Sequence, residues 1–81
     1  LIFENYIWSP ISWSDFEWWL DHDKEKVKRI RRMIKEIVRD PFIGIGKPEP
    51  LKEHMAGMWS RRITDEHRLV YVVCDGELRI V

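Results

Sequence analysis

Three of the four prolines and three of the four glycines fall in one stretch, residues 41–57, PFIGIGKPEPLKEHMAG. This punctuation constrains the fold more than any other feature. Proline cannot continue a helix or sit inside a sheet ladder, and glycine strengthens neither. Before the stretch, apolar residues recur with helical spacing; after it, they alternate. The whole chain has 81 residues, enough for one domain with one small core.

Residues 2–8 (IFENYIW) read as a strand, rich in aromatic and β-branched residues. Ser9 and Pro10 then form a helix entry, Ser9 as N-cap and Pro10 in the first turn. The first helix is expected to end near Leu20 and to bury Trp13, Phe16, Trp19 and Leu20. Asp21 and Asp23 break it and can cap the next helix, expected over residues 24–39. There Val27, Ile30, Met33, Ile34, Ile37 and Val38 form an apolar stripe, and Pro41 ends the helix. The punctuated stretch reads as a loop, fixed at its prolines and mobile at Gly44 and Gly46. Residues preceding proline are pushed to extended geometry, so Glu49, between Pro48 and Pro50, is held out of helix.

Strands follow at 58–63, 67–74 and 77–81, the last two joined by an Asp75-Gly76 hairpin turn. Alternation decides the earlier turn. If Thr64, Asp65 and Glu66 form it, Arg62 lies across from Arg68, and Trp59 and Ile63 share a face with Leu69, Tyr71 and Val73. A two-residue turn would scatter that apolar face. In this register Arg61 is the misfit, expected to snorkel at an edge. The order strand, helix, helix, strand, strand, strand gives an α+β fold: two antiparallel helices on one face of a mainly antiparallel four-stranded sheet.

Net charge is zero, but it is segregated. Residues 1–23 hold five acids and no Lys or Arg, while residues 24–52 hold ten cations against four acids, a local charge of +6. The basic block reads either as a solvated helix face or as a surface for phosphates or an acidic partner. Five tryptophans are too many for a core this small. Trp18 lies off the buried stripe and is the first candidate for a contact with a second copy or a partner.

The single cysteine, Cys74, forms no internal disulfide and reads as an apolar filler in a strand. The disulfide-free composition fits a cytoplasmic, reducing location. No apolar run approaches a membrane span, and the first segment lacks the basic start of a signal peptide. No His or Cys pair has metal-ligand spacing, and there is no dinucleotide or P-loop fingerprint, so neither metal nor cofactor is expected.

Candidate chemistry gathers between Gly46 and Tyr71. Glu49 is a rigidly presented acid; Lys47, Lys52, Arg61, Arg62 and Arg68 supply cations; His54 and His67 lie among them. An acid facing fixed cations suits phosphodiester cleavage in RNA, where a base takes a 2′-hydroxyl proton and positive charge holds the phosphorane. From the residues alone, Glu49 equally reads as an ordinary loop acid, and Arg62 and Arg68 as ion-pair partners of Asp65 and Glu66. His67 falls on the face opposite Arg68 and reads as structural. His54 and Lys47 could touch nucleic acid, and His22 reads as solvated between helices.

The motifs W-x-x-x-x-W-x-D (Trp8 to Asp15), DPF, GKPEPLK and G-x-W-S-R-R-I-T-x-E-H-R-L-V-Y together span nearly the whole chain. In them the chain closely resembles the YoeB/Txe toxins of the RelE-like superfamily. The resemblance implies a ribosome-dependent endoribonuclease that cuts mRNA in the A site. Glu49 would be general base, Arg68 the cation on the scissile phosphate, and Arg62 and Lys52 supporting cations. Beside these, Lys47, Lys52, His54 and Arg61 stand as candidate RNA contacts. The resemblance also implies neutralisation by a YefM/Axe-type antitoxin, operator DNA contacted mostly through that antitoxin, and a bacterial cytoplasmic location. Members of this type often form homodimers, a state it allows here. The KPEPLK and EHRLVY residues argue against the ParE branch, which poisons DNA gyrase.

The resemblance further implies a short tail ending in Arg-Tyr-His-Tyr or similar, whose histidine is general acid. The sequence given stops at Val81. A chain without that tail is expected to cut RNA at least about tenfold more slowly than one carrying it, since a positioned acid is worth roughly 10²–10⁴-fold; the alternative reading is a cleavage-deficient toxin that serves as an antitoxin-binding module and co-repressor. Side-by-side single-turnover cleavage by the two chains measures this, and equal rates would refute it.

Overall fold

The computed structural model describes residues 3–81. In chain order the elements are β1 (Asn5–Trp8), α1 (Pro10–His22), α2 (Lys24–Arg39), β2 (Glu49–Pro50), a 3₁₀ turn (Glu53–Met55), β3 (Trp59–Arg62), β4 (Arg68–Cys74) and β5 (Glu77–Ile80). Ile2, the expected start of the first strand, lies outside the described residues.

The sheet runs β1-β5-β4-β3-β2, with β1 parallel to β5 and the other neighbours antiparallel. It has five strands rather than the expected four. The addition is β2, too short to leave an alternation in the sequence, where Glu49 pairs with Ser60 and Pro50 with Trp59. A proline with no N–H can close such a ladder only at an edge, and β2 is the edge.

The helices follow the capping chemistry. Ser9 Oγ accepts from the Ser12 amide at the start of α1, and Asp23 accepts from the amides of Glu25 and Lys26 at the start of α2. Asp23 alone separates the helices. Val27, Ile30, Met33 and Ile37 of α2 are buried, and the last three join Ile63, Leu69, Tyr71, Leu78 and Ile80 in one core. The α1 stripe differs from expectation. Trp13 and Leu20 are exposed, while Ser12 is buried and Phe16 and Trp19 pack against the core. The inward positions are therefore 12, 16 and 19, because Ser12 Oγ donates to the Ile80 carbonyl at 2.9 Å and ties the helix start to β5. Trp13 instead rests against Trp8 and Phe16.

The expected hairpin register is observed: Arg62 pairs with Arg68 and Trp59 with Tyr71. Asp75 and Gly76 both have positive φ (48° and 76°), as a tight primed hairpin turn requires.

Arg61 does not snorkel. It is fully buried on the helix-facing side of the sheet. Its guanidinium donates to the carbonyls of Asp40, Ile43 and Ile45 and to the Tyr71 hydroxyl, which in turn donates to the Pro41 carbonyl. Glu36 stands 4.0 Å away and accepts from the Ile45 amide. That amide bond, aided by Arg32 and Arg61 against partial burial, holds the Glu36 carboxyl below its ordinary pKa. Burial pushes the Tyr71 phenol up despite Arg61. The 40–46 loop is thus wrapped around one cation. Gly44 is packed rather than loose: at φ 139°, a Cβ would collide with Glu36 and lie 2.6 Å from Arg61 Nη1.

Arg61→Met leaves three carbonyls and a phenol without their donor. It is expected to cost about 3 kcal/mol or more, the scale for breaking a buried charged network. Arg61→Lys recovers only part of this, because an ammonium cannot fork across the same acceptors. Urea unfolding of the variants measures both, and wild-type stability in Arg61→Met would contradict the wrapped-cation account.

Candidate active site

Strand alternation sends Arg62 and Arg68 to the face away from the helices. β2 carries Glu49 to the same face, beside Ser60. Arg68 Nη1 donates to Glu49 Oε1 at 2.9 Å. The two side chains are 37% and 53% exposed, so the pair is open to a ligand of molecular size. Arg68 has therefore chosen the proline-flanked acid and not Asp65 or Glu66.

Two polar atoms beside this pair are buried without a hydrogen-bond partner: Ser60 Oγ, next to Glu49 in the ladder, and Arg62 Nε, opposite Arg68. The Arg62 backbone is fixed on both sides. Its N–H donates to the Gly46 carbonyl at 2.6 Å, and its carbonyl accepts from Arg29 Nε and Nη2 at 3.2 and 2.9 Å. Ser60 and Arg29 were not among the residues singled out from sequence. A serine in a strand carries no signal of its own, and Arg29 is one of many cations on α2.

Lys47 and Lys52 flank Glu49 and are exposed, as is His54 in the 3₁₀ turn. All three lie within five residues of Glu49 in the chain. Arg61 is fully buried on the opposite face and cannot reach a nucleic acid, and its expected RNA contact is corrected to a structural role. The reason is geometric, since odd and even positions of β3 face opposite ways. His67 also lies away from the pair, edge-on to Trp19 at 5.2 Å. His22, expected to be solvated, is exposed, and its ring also stacks on Trp18 at 4.3 Å. Trp18 itself is half exposed. Cys74 is half-buried, and its hydrogen bond to Asp75 pushes the thiol pKa up, away from nucleophilic use. Among the described residues, no helix is long and apolar enough to cross a membrane.

Chemically, the arrangement offers an extended carboxylate in contact with one guanidinium, a second guanidinium across the ladder, and cations on the flanking loop. A helical hairpin on one face of a mixed sheet, with such charges on the other, is the RelE-like toxin fold. The structure superposes on a YoeB/ParE toxin from Agrobacterium tumefaciens with a TM-score of 0.92 and 46% identity, covering 95% of this chain and 92% of that one. It also matches the heterotetrameric YoeB-YefM toxin–antitoxin complex from Staphylococcus aureus and a YoeB dimer from the same organism (each TM-score 0.89, 44% identity, 95% and 90% covered). Toxin YoeB of Escherichia coli K12 is 57% identical over 74 residues, 91% of this chain and 88% of that protein. The family described as YoeB-like toxins of bacterial type II toxin–antitoxin systems matches residues 8–81, and this chain belongs to it.

Because the Glu49–Arg68 pair is exposed, it is worth only about 0–1 kcal/mol to the fold. Arg68→Ala is expected to leave urea-unfolding stability within about that margin. A much larger loss would mean that the pair is a structural bond.

Proposed function

We propose that this toxin is a ribosome-dependent endoribonuclease that cuts mRNA in the A site and thereby stops translation. The observation that carries the reading is the 2.9 Å contact between Glu49 and Arg68 on the open face of the sheet. In the resting protein each charge satisfies the other. An exposed ion pair contributes about 0–1 kcal/mol, whereas charge-assisted contacts of an arginine to a phosphate are worth about 1.5–3. An entering phosphodiester therefore takes Arg68 and leaves the carboxylate free. Glu49 removes the proton from the 2′-hydroxyl, and that oxygen attacks the adjacent phosphorus. Arg68 and Arg62 hold the charge that develops on the phosphoryl oxygens. The bond to the 5′ oxygen breaks, that oxygen takes up a proton from water, and a 2′,3′-cyclic phosphate is left. Only RNA has the attacking hydroxyl, so DNA is not a substrate. Lys47, Lys52 and His54 hold the flanking strand.

The same reading gives the toxin a YefM-type antitoxin partner, as in the related staphylococcal complex. An acidic segment of that partner would compete with RNA for the cations around Glu49. Contact with operator DNA would come through the antitoxin, and a homodimer and a bacterial cytoplasmic location belong to the same reading.

Toe-printing on translating ribosomes tests the chemistry. The wild type is expected to give A-site cuts. Glu49→Gln should lower their rate by about 10²–10⁴-fold and Arg68→Ala by about 10²–10³-fold, with antitoxin affinity nearly unchanged in Glu49→Gln. Cutting by Glu49→Gln at the wild-type rate would remove Glu49 from the mechanism.

A further inference from the structure

A cleft of about 430 Å³ lies between α2, the segment around Lys47 and the β3–β4 turn. Its size falls in the roughly 300–1,000 Å³ range of ligand pockets, well beyond what a bare ion needs. Three of its lining side chains are cationic: Arg29, Lys47 and Arg62. Among the described residues, none of the three has a carboxylate within 4.0 Å. Asp65 lines the cleft without pairing with any of them. Like charges gathered at one cleft repel, and an anion relieves that repulsion.

The donors are already oriented. Arg29 is clamped through Nε and Nη2 on the Arg62 carbonyl, leaving Nη1 for a ligand. Among the described residues Arg62 Nε has no partner, so this guanidinium is not committed through that atom to an internal acceptor. Thr64 Oγ1 accepts from the amides of Glu66 and His67, so its own proton remains to be donated. Ile45 and Ile63 supply an apolar wall.

Arg62 belongs to this cleft and also stands directly across the ladder from Arg68. We infer that the cleft is a second RNA-backbone subsite, holding a phosphodiester neighbouring the one at Glu49 and Arg68, with Arg62 shared between the two. The inference rests on the ribonuclease reading for the identity of the ligand. An acidic peptide would also be drawn to the three cations. RNA is the better match, because Asp65 and Thr64 offer an acceptor and a donor to a ribose hydroxyl, and a carboxylate-bearing segment has no use for Asp65.

The test measures binding without cleavage. Glu49→Gln protein is titrated with a short single-stranded oligoribonucleotide by fluorescence anisotropy, between about 50 and 200 mM salt. Lys47→Asn and Arg29→Gln are added separately. Lys47 is exposed with φ 50°, a left-handed conformation that asparagine tolerates, so that variant leaves packing intact. Each is expected to weaken RNA binding about tenfold or more. Each should also lower the slope of log affinity against log salt by about 0.7, the signature of one lost phosphate contact to a single strand. Lys35→Gln, on α2 outside this cleft, serves as control and should change neither value. Unchanged affinity and slope in Lys47→Asn and Arg29→Gln would overturn the subsite while leaving the nuclease reading intact. Loss of affinity for an oligo-glutamate peptide but not for RNA would also overturn it. If the wild type gives no A-site cuts, yet the cleft variants still lose RNA binding and salt slope, the subsite stands and the nuclease reading fails.

Discussion

The buried guanidinium of Arg61 is the contact on which the rest of the toxin depends. Removing a charge from water costs several kcal/mol, and among the described residues no carboxylate sits closer to this one than Glu36 at 4.0 Å. Carbonyl dipoles take the place of water. Asp40, Ile43, Ile45 and the Tyr71 hydroxyl accept from it, and charge-assisted bonds at about 1.5–3 kcal/mol each outweigh the desolvation cost. The result is a loop with no regular structure whose path is nonetheless fixed. That loop leads directly into Pro48-Glu49-Pro50, so a cation on the core side of β3 determines where the acid on the other side is delivered.

The two faces of β3 divide the labour. Arg61 faces the helices and is satisfied by protein, whereas Arg62 faces outward and keeps an unpartnered Nε. Among the described residues Glu49 and Arg68 are satisfied only by each other, and with both side chains partly exposed that satisfaction is cheap to exchange. A protein optimised purely for stability would bury or remove such a pair and would not leave a buried N–H orphaned next to it. The frustration sits where a polyanion would resolve it, and the core, held by α2 and the sheet, does not rely on it.

Much of this was legible in the sequence. The α2 stripe ran without conflict from Val27 to Val38 between Asp23 and Pro41, and its bounds agree with the structure. The Arg62–Arg68 register followed from keeping Leu69, Tyr71 and Val73 on one face, and the structure has the same register, with both arginines on the outward side. Other features left no local trace. β2 is two residues long, below the reach of any periodicity, and exists because Ser60 and Trp59 are there to pair with. Arg61 was misread because a charged residue on an apolar face implies escape to water. Its true partners are loop carbonyls some 16 to 21 residues away in the chain, which composition cannot reveal. The α1 face was misread for the opposite reason. Aromatics lie nearly all round that helix, so hydrophobicity could not choose the inward side, and a serine reaching Ile80 did.

The +6 block of residues 24–52 now divides into cations with different fates. Lys28 and Arg32 pair along α2 with Glu25 and Glu36 and remain on its solvated side. Arg29, one position from Lys28, points a different way around the helix and grips the β3 backbone at Arg62. The apolar stripe that seats α2 on the sheet thereby fixes which of its cations reaches the β3 backbone. Burial of Ile30 and Met33 sets the rotation of α2, and that rotation carries Arg29 to Arg62. Hydrophobic packing of the helix thus places positive charge against the strand that carries Arg62. A helix turned by one residue would keep much of its amphipathicity and lose the link between them.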